Sequence, residues 1–101
     1  MQSGHQWQNS QTKDLFKAIL KIKNNKEAAK FFRDLCTLEE LTEMAKRWQA
    51  VKMIDKNQPY RQIAKKTGLS TTTITRIAYW LNHGEGGYAL VLGRENKKLK
   101  K

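Results

Sequence analysis

The feature that most constrains the fold of this chain is a glycine between two runs of helical periodicity. It lies in the segment YRQIAKKTGLSTTTITRIAYWL, residues 60–81. Gly68 can take the left-handed backbone conformation that ends a helix, and Ser70 is a favourable N-cap for the next helix. Beyond the turn, Ile74 and Ile77 recur at helical spacing and define an inward face. The segment therefore predicts two short helices joined by a tight turn, the arrangement of a helix-turn-helix.

Three further residues bear on this pattern. Ala64 is small enough to let the two helices cross closely, and Leu69 is placed to fill the corner between them. Thr67 departs from the pattern, because an apolar residue is more common just before the turn glycine. A purely structural helical hairpin is the alternative, but the spacing as a whole favours DNA binding.

Five β-branched residues in succession, residues 71–75, lie where the pattern requires a helix, although Thr and Ile are poor helix formers. With the isoleucines turned inward, the threonines line the outer face, where short side chains let a backbone approach a DNA groove. A threonine hydroxyl can bond phosphates or base edges, and its methyl can pack on thymine, although some of these threonines could merely cap the helix. The predicted DNA contacts are Arg61, Gln62, Lys65, Lys66, Ser70, Thr71, Thr72, Thr75, Arg76 and Tyr79.

An excess of basic residues indicates a polyanionic partner. Lys and Arg number 20 against nine Asp and Glu, which gives a net charge of +11 over 101 residues. Residues 60–101 carry nine basic and two acidic side chains, so the motif lies in the half of the chain with the more one-sided charge. Nucleic acid, an acidic protein and an anionic membrane surface all fit, and part of the charge could serve solubility alone. The motif favours double-stranded DNA among these partners. RNA binding stays open as an alternative, although the aromatic patches of common single-strand RNA readers are missing.

The rest of the chain predicts an all-α fold, because no segment alternates with period two. We expect five or six helices, and a partner subunit to supplement a core this small. Residues 1–12 are predicted to be a frayed polar segment, residues 13–93 a helical domain, and residues 94–101 a basic tail that favours disorder.

Two helix starts can be recognised from capping residues. Thr37 and Glu40 have the spacing of a capping box, in which each side chain bonds to the backbone N–H of the other. Asn24 and Glu27 have the same spacing, with Asn in place of the usual Ser or Thr. After Thr37, helical spacing predicts one buried side of a long helix, formed by Leu41, Met44, Ala45, Trp48 and Val51.

Catalytic and metal chemistry find little support in the residues. His5 and His83 are the only histidines, and neither belongs to a group with metal-ligand spacing. Cys36 is the only cysteine, which excludes an intrachain disulfide and fits a reducing cytoplasm. No stretch has the apolar length of a membrane span. We expect a cytoplasmic protein that is not an enzyme and needs no metal or cofactor.

From about Phe32 to Leu81 the chain resembles the Trp repressor superfamily, specifically its YerC/YecD-type relatives. The segment DLCTLEELTEMAKRWQAV is similar to the long helix of that family, and IAKKTGLSTTTITR to its helix-turn-helix, with TITR the most specific piece. The resemblance implies an intertwined, all-helical homodimer that binds operator DNA. In Trp repressor itself, L-tryptophan acts as corepressor.

The resemblance also implies positions for an effector pocket. Two arginines enclose the corepressor indole in Trp repressor, and a threonine lies at the start of the long helix and another on the recognition helix. Each of these four has a match here, but a glycine and a serine of that site are replaced by isoleucine and tryptophan. The candidate pocket residues are Thr37, Arg47, Thr73, Arg76, Ile77 and Trp80.

The two replacements add volume to one helical stripe, because Ile77 and Trp80 share the spacing of Thr73 and Arg76. Extra volume in a packed site costs about 1–3 kcal/mol, enough to spoil binding of one amino acid. Our hypothesis is that Trp80 takes the place of the ligand and that L-tryptophan is not the effector. The alternative is that Trp80 points elsewhere, as a core or dimer-interface residue.

The sequence thus favours a sequence-specific DNA-binding transcription regulator, expected to be a repressor and a homodimer. Two other functions stay open: an interaction module that contacts transcription machinery, and a repressor that responds to L-tryptophan through an intact corepressor pocket.

Overall fold

Six α-helices form the part of the chain that the structure, a computed structural model, describes, which is residues 7–99, with side chains as far as residue 96. Within those residues no strand occurs, so the predicted all-α fold is confirmed. The helices are α1 (Ser10–Ile19), α2 (Asn25–Leu35), α3 (Leu38–Asp55), α4 (Tyr60–Thr67), α5 (Thr71–His83) and α6 (Gly87–Leu99).

The chain divides into two compact units within α3, one through Leu41 and the other from Thr42 onward. The first unit holds α1, α2 and the first turn of α3. The second unit holds the remainder of α3 with α4, α5 and α6, and it contains the predicted helix-turn-helix.

Helix α1 begins earlier than the sequence predicted, so the expectation of a frayed segment as far as residue 12 is wrong for its last residues. Asn9 caps the helix, because its side chain accepts from the backbone N–H of Thr12 at 2.9 Å. The Thr12 hydroxyl in turn accepts from the Asn9 N–H at 2.9 Å. Trp7 packs edge-on against Phe16, with ring centroids 6.3 Å apart. Residues 1–6 lie outside the described residues.

The capping box predicted at the start of α3 is confirmed. Thr37 Oγ1 accepts from the Glu40 N–H at 3.0 Å, and the Glu40 carboxylate accepts from the Thr37 N–H at 2.8 Å. At α2 only half of the predicted box forms, since Asn24 accepts from the Glu27 N–H. The Glu27 carboxylate accepts instead from the N–H of Lys23, one residue before the cap.

The buried core lies in the second unit, where α3, α4, α5 and α6 meet. Its residues are apolar: Ala50, Val51, Ile63, Leu69, Ile74, Ile77 and Leu92. Burial of Ile74 and Ile77 stabilises α5 despite its poor helix formers, because packing outweighs intrinsic propensity.

Only the C-terminal half of the predicted apolar side of α3 is buried. Val51 is fully buried and Trp48 packs partly against the core, but Ala45 is exposed and Met44 is 43% exposed. No residue of α1 or α2 is buried, and Leu35 is 51% exposed. The apolar side chains of the N-terminal helices thus remain half-buried or exposed.

Helix α6 extends to Leu99, so the expected disorder of residues 94–101 is wrong for residues 94–99. Leu92 is buried in the core and anchors the helix, and the following residues include Arg, Glu and Lys, which are good helix formers. Residues 100 and 101 lie outside the described residues.

Candidate nucleic-acid interface

The turn between α4 and α5 has the geometry that the sequence predicted. Gly68 is the C-cap of α4 and has a left-handed backbone with φ of 80°, and its N–H donates to the Ala64 carbonyl at 2.8 Å. Leu69 is 7% exposed and joins the core, and Ile63 is fully buried. The turn is therefore held from both sides, by hydrogen bonds and by buried apolar side chains.

Thr67, which departs from the expected pattern, has a specific role in the turn. Its hydroxyl donates to the Ile63 carbonyl at 2.7 Å and accepts from the Leu69 N–H at 3.2 Å. An apolar residue at this position would leave the Leu69 N–H without that acceptor. The polar side chain thus replaces apolar packing with two local hydrogen bonds.

Helix α5 begins at the predicted cap. Ser70 Oγ accepts from the Thr73 N–H at 3.1 Å and donates to the Thr73 hydroxyl at 3.0 Å. These bonds fix the first turn of the helix, so the threonines that follow have defined directions.

The two faces of α5 separate as the sequence predicted. Ile74 and Ile77 are fully buried, and Ala78 is 7% exposed. The opposite side consists of exposed residues. Across α4, the turn and α5, every predicted DNA contact is exposed: Arg61, Gln62, Lys65, Lys66, Ser70, Thr71, Thr72, Thr75, Arg76 and Tyr79.

Two contacts order the outer face of α5. The Thr75 hydroxyl donates to the Thr71 carbonyl at 2.9 Å, which leaves its oxygen lone pairs available as acceptors. The ring of Tyr79 lies against that of His83, with centroids 4.7 Å apart. The face therefore offers methyl groups, hydroxyl acceptors and the Arg76 guanidinium to a partner.

A basic residue that the sequence did not single out also lies at this turn. The Nζ atom of Lys46, on α3, is 3.7 Å from the point where a β-carbon on Gly68 would lie. In the sequence, Lys46 looks like an ordinary charge on the outer side of a long helix. Only the packing of α3 against the helix-turn-helix shows where its ammonium group is.

Five of the six effector-pocket candidates lie in the second unit and differ in burial, while Thr37 lies in the first unit. Ile77 is enclosed in the core, so it does not line an open site, since its spacing from Ile74 makes it part of the buried face. Arg47 is exposed and pairs with Glu43 at 3.5 Å. Arg76 is exposed and Thr73 is half-buried beside the Ser70 cap. Thr37 caps α3 in the first unit.

Trp80, the remaining candidate, is 45% exposed and lines an open aromatic groove of about 830 Å³ between the end of α5 and the start of α6. The ring of Trp48 packs against that of Tyr88 in this groove, with centroids 6.3 Å apart. The glycine-rich link of residues 84–87 forms one side. The sequence did not predict this groove, because its walls come from three separate helices.

Within residues 7–99, no group of three or more His, Cys, Asp or Glu residues is arranged to hold a metal ion. No helix in this part of the chain combines the length and apolar character needed to cross a membrane.

Comparison with known proteins places this geometry in a family. The family model for Trp repressor protein matches residues 10–96. The uncharacterized protein YerC of Bacillus subtilis is 39% identical over 80 residues, which is 79% of this chain and 77% of that protein.

Two solved structures have the same fold. The crystal structure of a TrpR-like protein from Eubacterium eligens has a TM-score of 0.86 and 38% identity, and covers 91% of this chain and 95% of that one. A putative Trp repressor from Staphylococcus aureus also has a TM-score of 0.86, with 34% identity over 95% and 96% of the two chains. With its helix-turn-helix and its match over nearly all of the described residues, the chain belongs to the Trp repressor family.

Proposed function

We propose that this protein is a homodimeric, sequence-specific DNA-binding transcription regulator, a repressor that acts in the cytoplasm. In this proposal α5 enters the major groove of double-stranded DNA, while α4 and the turn contact the phosphate backbone. The family supports a DNA-binding regulator, and the finer assignments rest on the residues of the chain.

The observation that carries the proposal is the division of α5 into two faces. Its isoleucines are fully buried, while Thr71, Thr72 and Thr75 are exposed at the start and middle of the helix. Short side chains at the start of a recognition helix allow close approach to base edges, and Arg76 can make a bidentate contact with guanine. Any surface helix has a polar outer face, but threonines are poor helix formers, and their place at the start of α5 fits close approach to a groove.

The exposed apolar faces of the N-terminal helices support the homodimer. Phe16 is 45%, Leu20 83%, Leu35 51% and Leu38 60% exposed in the single chain. Apolar groups of this size in water cost about 25 cal/mol for each Å² exposed, which a second copy can recover by covering them. A dimer also supplies two recognition helices, which can read half-sites about one DNA turn apart.

Selection of bound fragments from genomic DNA, followed by competition against random duplex, tests the proposal. We expect a selected duplex to bind about 1,000-fold or more tightly than random DNA at physiological salt. Arg76→Ala and Thr75→Ala should each reduce this ratio. The free energy of discrimination should fall by about 1–3 kcal/mol for each side chain that reads a base.

Lys30→Ala is the control, because Lys30 is an exposed cation on α2, outside the helix-turn-helix. It should leave the ratio unchanged. If the wild-type protein binds duplex but shows no preference among sequences, the function as a sequence-specific regulator is excluded. An interaction with another macromolecule would then be the function that remains.

A further inference from the structure

We propose that Lys46 contacts the DNA backbone. This lysine belongs to α3, outside the helix-turn-helix, but its ammonium group lies beside the turn between α4 and α5. This inference rests on the proposed DNA-binding function and adds to it a residue outside the motif. The ammonium lies 3.7 Å from the β-carbon position of Gly68, on the side of the turn to which a side chain there would project.

Three lysines come from the two helices that lie at the turn. Lys65 and Lys66 occupy the last turn of α4, directly before Gly68, and Lys46 adds a third cation from another helix. A phosphate near the turn would be attracted by each of these charges, and added salt would weaken the attraction.

Its neighbour on α3 shows the contrast. Arg47 is neutralised by Glu43 one turn earlier, at 3.5 Å. In the described part of the chain, no carboxylate forms an ion pair with Lys46, although its side chain is half-buried. Of these two adjacent cations, the one at the turn is the one left available to an external anion.

A lysine is suited to this position because its ammonium is a point charge on a long stem that reaches across from α3. A phosphate contact of this type fixes the register of the protein on the duplex but does not distinguish bases. Lys46 should therefore contribute equally to selected and random DNA.

The experiment measures the affinity for a fluorescent random-sequence duplex of about 30 base pairs, long enough for two half-sites, as a function of salt. Each phosphate contact contributes about 0.9 to the slope of log affinity against log salt. We expect Lys46→Gln to reduce the slope by about 0.9 for each protomer bound, with about eightfold weaker binding for each lost contact at 0.1 M salt. Lys46→Arg should restore the slope.

Lys30→Gln is the matched control, since it removes the same charge from an exposed site on α2 and should leave the slope unchanged. The ratio of selected to random affinity should be the same in Lys46→Gln as in the wild type. A lysine that only stabilises the C-terminal carbonyls of α4 would show the opposite result, a lower unfolding midpoint with an unaltered slope. That result would overturn the inference.

The failure of this inference is distinguishable from the failure of the proposed function. A wild-type protein that binds no duplex overturns both. A wild-type protein that binds random duplex without sequence preference overturns the regulator alone, and a loss of slope in Lys46→Gln then still supports the backbone contact.

Discussion

The hydroxyl of Thr67 donates a hydrogen bond of 2.7 Å to the carbonyl oxygen of Ile63, one turn earlier in α4. The Thr67 hydroxyl oxygen also accepts from the N–H of Leu69 at 3.2 Å, on the other side of the turn glycine. One side chain therefore joins the last turn of α4 to the first residue after the turn. This explains how the chain tolerates a polar residue where helix-turn-helix segments more often have an apolar one.

Replacement of Thr67 by valine, which has the same shape, should destabilise the protein by about 1–2 kcal/mol, because the half-buried Leu69 N–H loses its acceptor. Thr67→Ser keeps the hydroxyl and should lose less. Urea unfolding at one fixed protein concentration measures both, since the stability of a dimer depends on concentration. Equal stabilities of Thr67→Val and the wild type would show that the two hydrogen bonds contribute nothing.

Gly68→Ala should destabilise the protein by about 1–2 kcal/mol through the backbone alone. The φ of 80° is disfavoured for a residue with a β-carbon, whereas the nearest atom to that carbon, Lys46 Nζ at 3.7 Å, is at an ordinary contact distance. Gly68→Asn should lose less, because Asn tolerates the left-handed region. The order of unfolding midpoints should be wild type, Asn, then Ala, and an alanine variant as stable as the wild type would contradict the strain.

The turn could be predicted from the sequence because its determinants are local. The left-handed Gly68 and the Ser70 cap each act over three or four residues, and both are present as expected. The same holds for the Thr37–Glu40 capping box at the start of α3. The sequence does not mark the start of α1, because the cap at Asn9 uses Thr12 in place of the usual Glu or Gln. It does not mark the length of α6 either, because a run of basic residues is compatible with both a helix and a disordered tail.

The apolar face of α2 should be part of the dimer interface. Leu35→Gln should raise the dimer dissociation constant at least tenfold, because burial of a leucine side chain contributes about 1.5–3 kcal/mol. Lys30→Gln, on the opposite side of α2, is the control and should leave it unchanged. Light scattering during gel filtration over a range of concentrations measures the mass, expected for the wild type at twice the 11.8 kDa of the chain.

A wild-type protein that stays at the mass of one chain at high concentration would rule out the homodimer. A dimer unaffected by Leu35→Gln would place the interface elsewhere and leave the 51% exposure of Leu35 unexplained.

L-tryptophan should not bind at the position that the family resemblance implies. By the resemblance, Trp80 has a full indole where Trp repressor has a serine, so this side chain would occupy space that the ligand needs. Isothermal titration calorimetry should give no saturable heat with L-tryptophan, and DNA affinity should be unchanged by the amino acid. The same preparation must bind DNA, as proof that it is folded.

Saturable, stoichiometric heat would show that the site accepts the amino acid despite Trp80. Trp80→Ser is a useful comparison, because a side chain that is 45% exposed can be truncated with little loss of core. A gain of L-tryptophan binding in this variant would identify the indole as the obstacle.

The candidate site could be predicted only where it lies on one continuous segment. The exposed threonines of α5 follow from helical spacing, and the structure places every one on the outer face. Lys46 and the aromatic groove at Trp80 could not be predicted, since they depend on how separate helices pack. The predicted burial of Met44 on α3 failed for a related reason, because helical periodicity marks an apolar side without showing whether the same chain covers it.

In the proposed homodimer, a second copy would complete the packing of α1 and α2, which bury no residue in the single chain. Dilution below the concentration at which copies meet would leave these helices less protected from proteases. For a regulator of this design, scarcity would shorten the lifetime of each remaining molecule. Abundance and persistence would then rise and fall together.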